Sequence, residues 1–204
     1  MILSSKILLA IKVAVKAHEN QKRFIGANDI VYPYIVHPIR VSEIVRMILY
    51  SCALSDISSD IGIIPIRDEI ICASILHDVP EDTDVKLIDL ENLFGTVISS
   101  LVNEVTSDSI GLKKMGKAKY LIDKINNMSY PALIIKLSDR LDNVSDLIDK
   151  SNEFSDRYYK ESVEIVQNIK TKCDEKESIV FLKNAIIEVL KKYRSHREGQ
   201  DISL

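Results

Sequence analysis

Turn-forming residues are scarce in this chain: six glycines and five prolines serve 204 residues. A sheet-rich fold needs frequent turns and draws on glycine and proline to make them. So few breakers favour long helices, and the sequence reads as a succession of them. Helical spacing is expected over about 4–22, 37–50, 67–77, 85–92, 94–106, 114–126, 131–149, 154–172 and 176–194. His37-Pro38 opens the second of these, because proline suits a first helical turn and pushes the residue before it into an extended conformation. Pro80 ends or bends the helix that reaches His77. Arg23 to Tyr34 reads as a polar loop, and no alternating stretch is long enough to form a sheet. The last residues, Ser195 to Leu204, read as a polar tail that frays. The expectation is one all-α domain over residues 1–194, of about eight to ten helices, with no linker or repeat to mark a second.

Composition narrows the function classes. Hydrophobic residues make up 46% and charged residues 28%, the balance of a soluble globular protein. The net charge of -3 lacks the basic footprint of a nucleic-acid binder. Met1 to Ala17 resembles a signal peptide at first sight. Lys6, Lys12 and Lys16 interrupt it at helical spacing, so an amphipathic helix is expected there. No stretch reaches the ~18 apolar residues that span a bilayer. The cysteines, Cys52, Cys72 and Cys173, are odd in number and form no CxxC, which argues against a disulfide framework. Cys72 lies in an apolar run and is expected to be inert. A cytoplasmic location fits.

The chemistry gathers around two of the four histidines, His37 and His77; the others are His18 and His196. Leu76-His77-Asp78-Val79-Pro80-Glu81-Asp82-Thr83 places one imidazole and three carboxylates just beyond the apolar run Ile70 to Leu76. A buried helix that ends in such groups delivers them to the floor of a cleft, where charges are costly unless paired or metal-bound. His37 at a second helix start and Asp139 after the apolar Ile134-Ile135 run can complete a site. Asp139 and Asn143 are four apart and share a helix face. Two imidazoles and two carboxylates suit Mn²⁺, Fe²⁺, Co²⁺ or Zn²⁺ better than Ca²⁺. Such an ion readies water for attack near neutral pH, and Glu81 and Asp82 are placed to orient that water or carry its proton. Each residue alone has a blander reading. His-Asp pairs arise by chance, Asp139-Arg140-Asp142 can be a solvated ion-pair face, and His18 a surface or supporting histidine. The joint pattern carries the case.

The motifs Ala17-His18-x-x-Gln21-x-Arg23, Pro33-Tyr34-Ile35-Val36-His37-Pro38, His77-Asp78-Val79-Pro80-Glu81-Asp82-Thr83, Phe94-Gly95, Val105-Thr106 and Lys136-Leu137-Ser138-Asp139-Arg140-Leu141-Asp142-Asn143 follow one another in order. Together they resemble the hydrolase domain of RelA/SpoT homologues, a branch of the HD superfamily. The length is similar to that of stand-alone small alarmone hydrolases of the metazoan SpoT homologue type. The resemblance implies an all-helical fold. It also implies Mn²⁺-dependent removal of the 3′-pyrophosphate from (p)ppGpp, giving GDP or GTP and pyrophosphate. It makes His37, His77, Asp78 and Asp139 the metal ligands and Glu81 and Asp82 the catalytic acidic pair. Arg23 then corresponds to a residue at the base, Asn143 to one near the ribose, Lys113 to a phosphate-facing lysine and Tyr158 to a substrate-contacting tyrosine. Phe24 stands where a basic residue commonly follows the arginine, the loop from Phe24 to Tyr32 is long, and Pro80 replaces an aliphatic residue.

A related phosphohydrolase acting on (p)ppApp or on the 2′-phosphate of NADPH is the alternative reading, with Phe24 and its loop as the features that can move base preference. A non-catalytic binding protein on an HD scaffold is disfavoured by the intact ligands and acidic pair. The expected partner is a small nucleotide, with no nucleic acid or membrane; homo-oligomerisation stays open.

Overall fold

The computed structural model describes residues 4–25, 30–51, 66–147 and 153–200. The fold is all-α, as the scarcity of turn residues implied. The elements in order are α1 (Ser5–Ala17), β1 (Lys22–Ile25), β2 (Ile30–Pro33), α2 (Val36–Ser51), α3 (Arg67–Leu76), the single turn α4 (Val79–Asp82) and α5 (Leu87–Phe94). Then come α6 (Thr96–Val105), α7 (Ser109–Met115), α8 (Lys117–Asn126), α9 (Tyr130–Ser145), α10 (Glu153–Asn168) and α11 (Glu177–Gln200). No described helix is long and apolar enough to cross a membrane.

The helix ends have local causes. Ser4 caps α1 by accepting from the Ile7 amide, and Ser129 caps α9 by accepting from Ala132, with Pro131 in the first turn. Both caps satisfy an amide that the helix leaves without a partner. Two glycines set breaks that hydrophobic spacing alone misplaces. Gly95, at φ 85°, separates α5 from α6. Gly116, at φ 78°, divides the expected helix 114–126, so that α7 ends at Met115 and α8 begins at Lys117. Only glycine enters this backbone region without steric cost.

Several expectations need correction. The first helix stops at Ala17, with His18 as its C-cap, rather than running to Lys22. The expected polar loop holds an antiparallel hairpin in which Arg23 faces Tyr32 and Lys22 faces Pro33. Each strand has four residues, too short for alternation to register in the sequence. Helix α3 ends at Leu76, and Pro80 neither bends nor ends it; the proline sits in the first turn of α4. Helix α11 runs through Ser195 to Gln200, where a tail was expected. The loop around Ser55 to Pro65 and Cys52 lie outside the described residues.

Two helices form the centre. Every residue of α3 from Ile70 to Leu76 is buried. Helix α9 packs against α2, α3, α6, α10 and α11 and is buried on nearly all sides, the pattern of a core helix. The first half of α9 is apolar, with Leu133, Ile134 and Ile135 fully buried. Its second half carries the charges into the same interior. Helix α3 likewise ends by delivering His77 and Asp78 beside it. Cys72 is buried, and burial pushes its thiol up to about 12, so it is inert as expected.

Candidate active site

The end of α3, the start of α2, the turn α4 and the second half of α9 meet at one cluster. His37, His77 and Asp139 each offer a donor atom, and these atoms lie within 4.8 Å of one another. Asp78 closes the group. Its Oδ1 is 3.2 Å from His77 Nε2 and its Oδ2 is 3.4 Å from His37 Nε2. Asp139 Oδ1 is 3.3 Å from His37 Nε2 and 3.7 Å from His77 Nε2. Donors bound to one ion at ~2.1 Å sit about 3 to 3.5 Å apart, close to these separations. All four residues expected to bind metal therefore converge.

The imidazoles are turned for this task. His77 Nδ1 is 2.7 Å from the Ser74 carbonyl, so it keeps its hydrogen and Nε2 is the nitrogen that can exchange a proton for an ion. That Nε2 is buried and has no hydrogen-bond partner among the described residues. His37 Nδ1 donates to Asp142 Oδ2 at 2.7 Å, which again frees Nε2. Fixing one ring nitrogen so that the other binds is the usual arrangement for metal-binding histidines. An orphaned buried nitrogen, a second freed nitrogen and two carboxylates fit a divalent transition ion.

Electrostatics agree. Burial opposes a charge on His37, but Asp139, Asp142 and Asp78 outweigh it and hold the imidazole up to about 10. Burial likewise opposes charge on His77, and Asp78 and Asp139 raise it to about 9. Burial would raise Asp78 and Asp139, yet the neighbouring cations keep both well below the usual carboxylate range: His77 chiefly for Asp78, Lys136 chiefly for Asp139. The carboxylates draw positive charge into the cluster, held as protons on the imidazoles when no ion is bound.

The acidic pair lies on α4 beside the cage. Glu81 Oε2 accepts from the Ser107 amide at 2.9 Å. Asp82 Oδ2 accepts from the Tyr34 hydroxyl at 3.2 Å, and the same hydroxyl is 2.7 Å from Asp78 Oδ2. Partial withdrawal from water, followed by nearby Asp78, shifts Asp82 upward. Glu81 is also raised, mostly by burial. Gln21 Nε2 donates to the Asp82 carbonyl at 2.6 Å while its Oε1 meets His18 Nδ1 at 2.7 Å. His18 is 2% exposed, so the surface reading is wrong and the supporting one stands.

A cavity of roughly 260 Å³ is lined by Lys22, Arg23, Asn143, Asp146, Leu147, Phe154 and Tyr158, of which Asn143 donates to Asp139. Three of the expected substrate residues, Arg23, Asn143 and Tyr158, are brought together there. The Tyr158 ring lies under the Arg140 guanidinium at 5.0 Å and the Lys117 ammonium at 5.3 Å. Lys113 is exposed on α7 and is joined to none of these groups by a hydrogen bond or ion pair among the described residues. The Phe24 side chain and the loop tip beyond it lie outside the described residues.

Sequence reasoning missed Asp142, Asp146, Arg40, Lys136 and Tyr34. The charge run of α9 is not a solvated face, since Asp139, Arg140 and Asp142 are 8%, 5% and 2% exposed. Asp142 takes Arg40 Nε at 2.6 Å on one oxygen and His37 on the other. Lys136 Nζ donates to Asp139 Oδ2 at 3.0 Å, leaving Oδ1 to the imidazoles. The signal was present: Asp139, Asp142, Asn143 and Asp146 fall at i, i+3, i+4 and i+7, one stripe of a helix.

Residues 10–172 match the HD domain family. The chain belongs to that family. This HD domain is 32% identical over 173 residues to MESH1 of Drosophila melanogaster, named guanosine-3′,5′-bis(diphosphate) 3′-pyrophosphohydrolase; the alignment covers 82% of this chain and 86% of that protein. The Homo sapiens protein of the same name is 31% identical over 144 residues, covering 71% of this chain and 70% of its own. A longer Aquifex aeolicus enzyme, also a guanosine-3′,5′-bis(diphosphate) 3′-pyrophosphohydrolase, is 32% identical over 171 residues, 79% of this HD domain's chain and 20% of its own. A solved structure of a metazoan SpoT ortholog described as hydrolysing ppGpp superposes with a TM-score of 0.70 at 27% identity, covering 94% of this chain and 97% of that one.

Proposed function

We propose that the protein is a divalent-metal-dependent hydrolase that removes the 3′-pyrophosphate of (p)ppGpp, releasing GDP or GTP and pyrophosphate. The convergence of His37, His77, Asp78 and Asp139 around a buried His77 Nε2 that has no hydrogen-bond partner among the described residues carries the metal part of this reading. The relatives' named activity and the cavity lined by Arg23, Asn143 and Tyr158 support the substrate.

The bound ion, Mn²⁺ in this reading, supplies positive charge for the phosphate and lowers the pKa of water at the site. The remaining work falls to side chains. Water adds to the phosphorus, the bond to the ribose 3′ oxygen breaks, and that oxygen leaves with a proton. Two proton movements are needed, and Glu81 and Asp82 are the carboxylates placed for them. Their raised affinity for protons suits groups that take a proton and return it. Tyr34 and Gln21 hold Asp82 in place. Lys136 keeps Asp139 oriented. Arg23, Asn143 and Tyr158 line the cavity that takes the nucleoside, and Lys113 is left to meet an outlying phosphate from α7.

The test is a substrate panel on Mn²⁺-loaded protein: ppGpp, ppApp and NADPH, with release of pyrophosphate or phosphate measured. Turnover of ppGpp above the other two is expected. If ppGpp is the poorest of the three, the reading is wrong. His77→Ala and Asp139→Ala are each expected to lose bound metal by elemental analysis, and unchanged metal content in both would remove the cage from the mechanism.

A further inference from the structure

Arg23 reaches into the cavity, yet its guanidinium is already engaged inside the protein. Nη2 donates to Asn143 Oδ1 and to Asp146 Oδ2, each at 2.9 Å, and Nε donates to the same Asp146 oxygen at 3.0 Å. Asp142 Oδ2 lies 3.6 Å from Nη2. The Arg23 side chain is 14% exposed, so these contacts are sheltered from solvent competition.

Two of those partners reach the metal cage directly. Asn143 Nδ2 donates to Asp139 Oδ1 at 2.5 Å, the oxygen that faces both imidazoles. An amide has one acceptor end and one donor end. With its oxygen held by Arg23, the nitrogen of Asn143 must face Asp139; the reversed amide would set oxygen against carboxylate and nitrogen against guanidinium. The second route runs through Asp142. Its Oδ2 faces Arg23 and is also the atom that accepts from His37 Nδ1. Arg40 holds the other Asp142 oxygen at 2.6 Å and Asp146 Oδ1 at 2.9 Å. Asp142 and Asp146 are thus clamped between two arginines, one of which lines the cavity.

We propose that Arg23 is a positioning residue of the metal centre: through Asn143 it orients Asp139, and through Asp142 it orients His37. The inference rests on the reading of His37, His77, Asp78 and Asp139 as metal ligands. It assigns Arg23 a task that is present before any substrate arrives, and it makes the nucleoside cavity and the ion one coupled unit.

The sign of the effect separates this from simple charge repulsion. Deleting a cation near a metal site strengthens cation binding when only electrostatics act. Losing a group that holds the ligands weakens it. Groups that hold a ligand directly contribute about 10 to 100-fold in metal affinity, and Arg23 acts one contact further out, so about 10-fold is expected.

Calorimetric titration with Mn²⁺ alone, without substrate, makes the test on wild type, Arg23→Met, Arg23→Lys and Asn143→Ala. Arg23→Lys keeps the charge but loses the fork that spans Asn143 and Asp146, and it decides the matter if the methionine variant fails to fold by circular dichroism. Weaker Mn²⁺ binding in both Arg23 variants is the expected result. Unchanged binding in Arg23→Lys, or tighter binding in Arg23→Met, overturns the proposal. In the double variant Arg23→Lys/Asn143→Ala, a loss no greater than that of the weaker-binding single variant supports the relay through Asn143, whereas additive losses overturn it. Failure of wild type to bind Mn²⁺ overturns the ligand reading itself, and the inference with it.

Discussion

A buried imidazole beside a carboxylate holds either a proton or an ion, and His37 and His77 are set for both. Without metal they retain protons up to about 10 and about 9; burial works against those protons and the surrounding aspartates outweigh it. Metal must displace them, so affinity falls as pH drops below these values and rises toward them. Near pH 7, binding of Mn²⁺ is expected to release about two protons, read as the buffer-dependence of the calorimetric heat. Release of none would mean that the imidazoles do not ligate. Glu81 is different, because its carboxylate accepts from the Ser107 amide and it meets the ligands only through its backbone amide, which donates to the Asp78 carbonyl. Glu81→Gln is therefore expected to keep its metal while turnover falls about 10² to 10⁴-fold, measured at saturating substrate. Some of this was legible residue by residue: the cage and the acidic pair stood in the sequence as His-Asp and Glu-Asp. Asp142 and Lys136 did not, because a charged residue three positions from a ligand looks the same whether it faces water or the ion. Only the packing of α9 tells which.

At the level of elements, the long helices were readable because their apolar periods repeat over many residues, and the short pieces were not. The hairpin of β1 and β2 is invisible to alternation, yet it places Arg23 at the cavity. Tyr34, which follows β2, braces Asp78 and Asp82. The single turn α4 was anticipated only as a proline-marked helix end, although it aims the acidic pair. Boundaries depended on glycine more than on hydrophobicity. Gly95 has φ 85° and ψ 172°, a combination essentially closed to other residues. An added Cβ there meets nothing within 4 Å, so the cost of substitution is backbone strain alone. Gly95→Ala is expected to lower unfolding free energy by about 1 to 3 kcal/mol, measured by urea denaturation of the metal-free protein. A neutral result would show that the α5–α6 junction relaxes to a different backbone.

For the molecule as a whole, the cage is assembled from segments far apart in the chain. His37 reaches Asp142 across 105 positions, and Arg23 reaches Asp146 across 123. No fragment holding two ligands can reproduce the site, because the donors meet only after α2, α3 and α9 have packed. The unfolded chain therefore offers the ion no comparable grip, and the ion behaves as a reversible cross-link that ties the beginning, middle and latter part of the chain together. Free metal at a hundred times its dissociation constant adds about 2.7 kcal/mol to the folded state. Melting curves should climb with Mn²⁺ concentration and fall back when a chelator is added, without any nucleotide present. Metal supply thus sets how much folded protein survives heat as well as how much of it turns over substrate.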